Sequence, residues 1–276
     1  MRTSSINIGG KEFETNTQKS QTKRDNCGSS RGRISVVGIG PGSLEHMTPK
    51  ARKAIEEADV VVGYGTYIKL VEGIVRKGAE VVSGTMGKEV ERAKIAVMKA
   101  DENRRVVMVS SGDPGVYGMA GVVLEVAAQE KTKVPVEIIP GVTAATAAAS
   151  ILGAPLISDF AVISLSDLLT PLEKIEKRLE LASQADMSIV LYNPQSQGRI
   201  EPLTKAYEIM LKHIKPDTPV GIVKSAGREG QTYTITTLKD LLNCDIDMVT
   251  TIVVGNSATK IVNDKMVTAR GYNLTT

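Results

Sequence analysis

From Arg33 onward the chain alternates short β-branched runs with amphipathic segments, and that alternation limits the folds open to it. Ile34-Ser35-Val36-Val37 reads as a buried strand closed by glycines. Thr48-Pro49 supplies an N-cap and a first-turn proline, and Ala51, Ala54, Ile55 and Ala58 share one face, so a helix is predicted over 49–58. Asp59-Val60-Val61-Val62 is the next strand. A helix near 89–100, a strand over 105–110, a helix near 117–129, a strand over 136–139 and an alanine-rich helix near 143–151 follow. Strands spaced by helices imply a parallel α/β sheet, and near-continuous apolar strands imply cover on both faces.

Gly153-Ala154-Pro155 interrupts the pattern and marks a domain joint. Beyond it we expect helices over 172–183 and 201–213, strands over 188–192, 220–224, 231–235 and 250–254, and a short helix at 238–242. More Thr and more turns make this half a mixed-sheet α+β arrangement. The expected organisation is a poorly ordered polar tail over 1–32, an N-terminal α/β domain over 33–153 and a C-terminal α/β domain over 160–274.

Composition removes several classes of function. Lys plus Arg number 34 against 31 Asp plus Glu, a surplus of +3, too small for a protein that lives on phosphate backbones. Aromatic residues are only 3%, which leaves few platforms for stacking bases. Cys27 and Cys244 lie too far apart for a metal-ligand spacing or a disulfide framework, so we expect no protein-bound metal and a reducing compartment. Without an 18–20-residue apolar run or a signal-type N-terminus, the chain reads as soluble and cytoplasmic, with no membrane or nucleic-acid partner.

Three glycine clusters follow strands of the first sheet. In open α/β sheets ligands bind beyond the carboxyl ends of the strands, so each cluster is a candidate binding loop. Gly38-Ile39-Gly40-Pro41-Gly42-Ser43 lacks the dinucleotide spacing, and Pro41 has no N–H to offer a pyrophosphate. No acidic residue ends the second strand, which closes on Gly63-Tyr64-Gly65. Ser110-Ser111-Gly112-Asp113-Pro114-Gly115-Val116-Tyr117-Gly118 places a carboxylate, Asp113, at the sheet edge, where it suits an ammonium or ribose hydroxyls and repels phosphate. Asp-Pro-Gly is also an ordinary turn sequence. Pro140-Gly141-Val142-Thr143-Ala144 opens the alanine-rich helix, with Thr143 as its cap. Helix packing alone is the other account of its small residues. Together the loops suit a nucleoside without pyrophosphate, and S-adenosylmethionine has that chemistry.

These motifs resemble the signatures of the tetrapyrrole (corrin/porphyrin) methylases, two-domain class III methyltransferases dependent on S-adenosylmethionine. The resemblance runs from about Arg33 to about Tyr272. His46-Met47-Thr48-Pro49, Ser164-Leu165-Ser166-Asp167-Leu168-Leu169-Thr170-Pro171 and Leu191-Tyr192-Asn193-Pro194-Gln195-Ser196 resemble the precorrin-3B (cobalt-precorrin-3) C17-methyltransferase branch of cobalamin synthesis. The resemblance implies cofactor contacts at Pro41, Ser111, Gly112, Asp113, Val116, Thr143 and Ala144, and at Asn193 and Ala226 in the second half. It implies a tetrapyrrole substrate, C17 methylation with ring contraction, and a homodimer. The acid/base pair of the uroporphyrinogen-III branch falls here on Tyr64 and Thr85, which argues against that branch.

For proton movement during ring contraction the candidates are His46 and Ser196. A surface histidine beside a helix and a turn after a strand are the plainer accounts of the two. His213, at a helix end, suits the helix dipole. Arg199, Lys224 and Arg228 are candidate partners for tetrapyrrole carboxylates. The rival functions are another class III methyltransferase with a different acceptor, such as diphthamide or ribosomal RNA, a nicotinamide-dependent oxidoreductase, and a binding protein without turnover.

Overall fold

The computed structural model describes residues 5–8, 11–14, 32–196 and 198–273. Met1–Ser30 and Arg31–Thr276 are two separate units. In the first, strands β1 (Ser5–Ile8) and β2 (Lys11–Glu14) pair antiparallel, with Ser5 opposite Glu14. The expected tail included no such pair; its residues 1–4, 9–10 and 15–31, Cys27 among them, lie outside the described residues.

The second unit opens on the β-branched run, which forms β3 (Arg33–Gly38). Helix α1 (Pro49–Glu56) starts where Thr48 predicts, the Thr48 hydroxyl accepting from the Ala51 amide at 3.2 Å. Next come β4 (Val60–Tyr64), α2 (Gly65–Val71), β5 (Glu80–Gly84), α3 (Glu89–Asp101) and β6 (Arg105–Ser110). Helix α4 (Ala120–Gln129) and β7 (Val136–Ile139) complete this half. The strands lie in the order β5-β4-β6-β3-β7, all parallel. Alternate strand residues feed separate clusters: Ile34, Val36, Val60 and Val62 pack with α3 and α4, while Val37, Val61, Val107 and Val109 pack with α1 and α2. The sheet is covered on both faces, as its apolar strands require.

Helix α4 begins three residues later than the sequence suggests. A Cβ on Gly118 would sit 2.7 Å from the Pro114 carbonyl and from Ser110 Oγ, and Tyr117 has φ 53°, so the binding loop continues where a helix was expected. The α2 and β5 elements escaped prediction because β5 is an edge strand with alternately exposed residues, and α2 starts on a glycine.

Helix α5 (Ala144–Leu152) runs into β8 (Gly153–Ala154), so the expected joint is itself a short strand. The second sheet holds β9 (Phe160–Ser164), β10 (Ser188–Tyr192), β11 (Pro219–Lys224), β12 (Thr232–Thr237) and β13 (Thr250–Val254). Its order is β12-β11-β13-β10-β9, with only β9 and β10 parallel, the mixed sheet that was expected. Helices α6 (Leu172–Gln184) and α7 (Glu201–Leu211), with a 3-10 turn at Leu238–Asn243, cover one face. The other face receives α5: Ala145, Ala148 and Leu152 pack on Val190, Val223 and Val253. Gly221 in β11 makes that possible, since a Cβ there would meet Leu152 Cδ1 at 2.3 Å. The alanine-rich helix, placed by sequence in the first half, thus packs on the sheet of the second. Hairpin β14 (Thr259–Val262) and β15 (Lys265–Thr268) ends the fold, β15 pairing parallel with β8 through Met266 and Gly153. Among the described residues no helix is long and apolar enough to cross a membrane.

Candidate functional site

The three glycine loops meet at the carboxyl edge of the first sheet, and they meet through their backbones. Gly40 and Gly112 exchange N–H···O=C bonds at 3.1 and 2.8 Å. A Cβ on Gly141 would lie 2.2 Å from the Gly112 carbonyl, and one on Gly38 would lie 2.6 Å from the Gly141 amide. These glycines therefore let the loops approach one another, where the sequence suggested approach to a ligand. Asp113 finishes the junction: Oδ1 accepts from the Gly115 amide at 2.8 Å and Oδ2 from the Gly141 amide at 3.0 Å. Each oxygen keeps acceptor capacity beyond those bonds.

A cavity of about 220 Å³ opens over this junction. Pro41, Ser111, Gly112, Asp113 and Val116 line it from the first two loops. Thr143 and Ala144 line it from the third, and Asn193 and Ala226 from the second half, so all nine expected contacts surround one space. Among its lining residues Arg228 is the only cation, and two of its nitrogens are bonded to protein. Nε donates to the Pro41 carbonyl at 2.6 Å and Nη2 to Ser111 Oγ at 3.0 Å.

Thr143 occupies the cap position of α5, but its side chain makes no capping bond. The Tyr192 hydroxyl takes that role, accepting from the Ala145 amide at 2.6 Å and lying 2.6 Å from Thr143 Oγ1. A threonine hydroxyl engaged by a phenol no longer serves its own helix. Burial raises the Tyr192 pKa above the ordinary phenol value, against its hydrogen bonds with Thr143 and the Ala145 amide, so the phenol keeps its proton.

A second cavity, about 450 Å³, shares the walls Tyr67, Ser111, Tyr117 and Asn193 with the first. Tyr117 donates to the Val162 carbonyl at 3.1 Å and accepts from the Ser164 amide at 3.2 Å, so a residue of the first half is fixed to β9 of the second. Asn193 donates to Ser164 Oγ at 2.9 Å. Both Tyr117 and Asn193 adopt positive φ, 53° and 51°, so two residues of the wall shared by the cavities sit in the left-handed region. Ser164 and Ser166 line this larger space, while Asp167 turns aside to Arg199, 3.6 Å away.

Neither proton-transfer candidate lines a cavity. His46 is exposed behind the first loop, where a Cβ on Gly227 would approach its Nδ1 to 3.3 Å. Ser196 forms an isolated bridge with Arg199. His213 lies beyond the end of α7, and its Nε2 is 2.6 Å from Glu180 Oε1, so its partner is a carboxylate on α6. The candidate carboxylate binders are also committed: Arg199 to the Leu165 and Asn193 carbonyls, Lys224 to Asp245 and Asp247, Arg228 as above. Sequence reasoning missed Tyr67, Tyr117, Arg92 and Arg178 as lining groups. Tyr117 and Tyr192 stood within recognised motifs; the two arginines carried no local signal.

The carboxyl end of β4 holds Tyr64, edge to face with Tyr67 at 5.2 Å, and no acid that could grip a ribose as in dinucleotide sites. Asp59 lies at the opposite end of the sheet. Its hydrogen bonds to the Arg105 side chain outweigh burial and hold its pKa at about 2.

A parallel sheet with backbone-packed glycine loops thus carries two adjoining cavities at its carboxyl edge, a smaller one beside a larger one. Residues 33–242 match the tetrapyrrole (corrin/porphyrin) methylases, and the chain belongs to that family. It is 46% identical over 241 residues to a probable cobalt-factor III C(17)-methyltransferase of Salmonella typhimurium, covering 87% of this chain and 100% of that protein. A cobalt-factor III methyltransferase of Priestia megaterium is 49% identical over 246 residues, covering 88% of this chain and 45% of that protein. The chain thus spans about half the length of some relatives that it matches. The crystal structure of the methyltransferase CobJ superposes with a TM-score of 0.81 at 36% identity, covering 86% of this chain and all of CobJ.

Proposed function

We propose that the protein transfers a methyl group from S-adenosylmethionine to C17 of a precorrin-3B or cobalt-precorrin-3 tetrapyrrole, with ring contraction, in cobalamin synthesis. The observation that carries this reading is the shared wall: a chamber lined by the nine expected contacts lies beside a larger chamber, with Ser111, Tyr117 and Asn193 common to both. The names of the relatives point to the same acceptor class. We further propose that the two sheets act as two domains, that the chain works as a cytoplasmic homodimer, and that any cobalt belongs to the acceptor.

The residues of the small chamber fit the donor. It offers the Asp113 carboxylate and apolar walls from Val116, Ala226 and Val249, and its one cation is already bonded to protein, so it suits an ammonium and a nucleoside better than a diphosphate. S-adenosylmethionine supplies an electrophilic methyl on a sulfonium. The chain's own contribution is to orient and exclude water. Asp113 holds the second and third loops in register, Tyr192 fixes the start of α5, and Arg228 ties the two halves across the chamber. Tyr117 and Asn193, both anchored to β9, set where an acceptor carbon can approach.

Purified protein incubated with cobalt-factor III and S-adenosylmethionine carrying a ¹³C methyl group should give a product heavier by one labelled methyl, placed at C17 by NMR. Titration should show binding of S-adenosylhomocysteine and none of NAD. Binding of NAD in place of S-adenosylhomocysteine would overturn the reading in favour of an oxidoreductase.

A further inference from the structure

We infer that Arg92 is the anchor for an acidic side arm of the acceptor in the larger cavity, and that Glu89 stands in for that arm in its absence. The inference rests on the tetrapyrrole reading above and deepens it. Arg92 lines the cavity from the first turn of α3, yet its side chain is only 6% exposed. Burying a guanidinium requires partners for its donors. It donates to the Thr85 carbonyl and, at 3.0 Å, to Glu89 Oε1, while its Nε is buried with no partner among the described residues. The position is built for this side chain. A Cβ on Gly84, at the carboxyl end of β5, would lie 2.9 Å from Arg92 Cδ and 3.3 Å from Nη1, so the glycine clears the space that the guanidinium occupies.

The surroundings match an apolar ring with acidic arms. Met86, Val109, Met119 and Val122 line the cavity, and Leu168 and Leu169 stand at its wall 81% and 93% exposed, apolar surface that a flat macrocycle would cover. Glu89 is the replaceable partner, since its side chain is 42% exposed and an incoming carboxylate offers the same bond to the same nitrogen. Arg178 of α6 lines the same cavity from the other half, exposed and unpartnered among the described residues, a second cation for a second arm. By contrast, the cations suggested by sequence are engaged with carbonyls and carboxylates of the protein itself.

The test compares Arg92→Gln, Arg92→Lys and Glu89→Gln in steady-state methyl transfer to cobalt-factor III, with S-adenosylhomocysteine affinity measured in parallel. Loss of one charge-assisted contact should raise the acceptor KM of Arg92→Gln roughly tenfold or more, with kcat and S-adenosylhomocysteine affinity little changed. Arg92→Lys should recover part of the loss, because an ammonium keeps the charge without the fork. Glu89→Gln should lower the acceptor KM, since it removes the competing carboxylate. Raising salt should raise the wild-type KM more steeply than that of Arg92→Gln. An unchanged acceptor KM in folded Arg92→Gln would overturn the inference, as would a rise in Glu89→Gln equal to that in Arg92→Gln, which would make the pair a brace for residues 84–89. Should the wild type bind cobalt-factor III without methylating it, affinities read the anchor directly: weaker binding by Arg92→Gln supports it while the methylation reading fails. A wild type that binds no cobalt-factor III overturns both.

Discussion

The Tyr192 phenol accepts the Ala145 amide and contacts Thr143, and the same side chain walls the small cavity. If the small cavity holds the donor as proposed, stability and donor binding both depend on one oxygen. Tyr192→Phe should cost about 1–2 kcal/mol in denaturant unfolding and weaken S-adenosylhomocysteine binding in calorimetry, because the α5 cap is lost with it. At this scale the small cavity's walls were legible in the sequence: Pro41, Asp113 and Thr143 sit in turns whose glycines and prolines act locally, within a few residues. Arg92 could not be seen. What distinguishes it from any helix-surface arginine is burial over Gly84, a contact made only once α3 lies on β5. His46 and Ser196 looked eligible because histidines are scarce and hydroxyls reactive, but neither property says which way a loop faces.

Elements are tied at the opposite end of the first sheet from the site. There Asp59 Oδ2 accepts from the Arg105 amide at 2.9 Å and from Arg105 Nε at 3.1 Å, clamping the start of β4 to the start of β6. A carboxylate held at about 2 against the ordinary 3.8 stabilises the fold at any pH above the ordinary value and loses that contribution as pH falls toward 2. Asp59→Asn should cost about 2 kcal/mol at neutral pH, and its deficit against wild type in urea titrations should shrink steadily once pH drops below about 4. Elements with a continuous apolar signal, β3, β6, β10 and β13, were legible because burial on both faces writes itself into every residue. Edge strand β5 and hairpin β14–β15 were not, since half of their side chains meet solvent.

At the scale of the whole molecule one bond of long reach is especially informative. Arg228 reaches Pro41, 187 positions away, and Ser111, so one guanidinium links the β11–β12 turn to the first two glycine loops. Arg228→Met should weaken S-adenosylhomocysteine binding roughly tenfold in calorimetry while leaving the thermal midpoint close to wild type, because the lost bonds order the chamber more than they bury surface. Local pattern gave Arg228 a positive charge and no address, which is why the sequence pointed it at the acceptor. The order of strands and the packing of α5 on the second sheet were likewise beyond any window of sequence. The two-residue strand β8 adds a mechanical consequence. Where the chain passes from one sheet to the other it is laced to β15 through Met266 and Val267, with Gly153 at φ 131°. A swivel of one sheet against the other at this crossover would have to break that lacing and pull β8 away from the terminal hairpin.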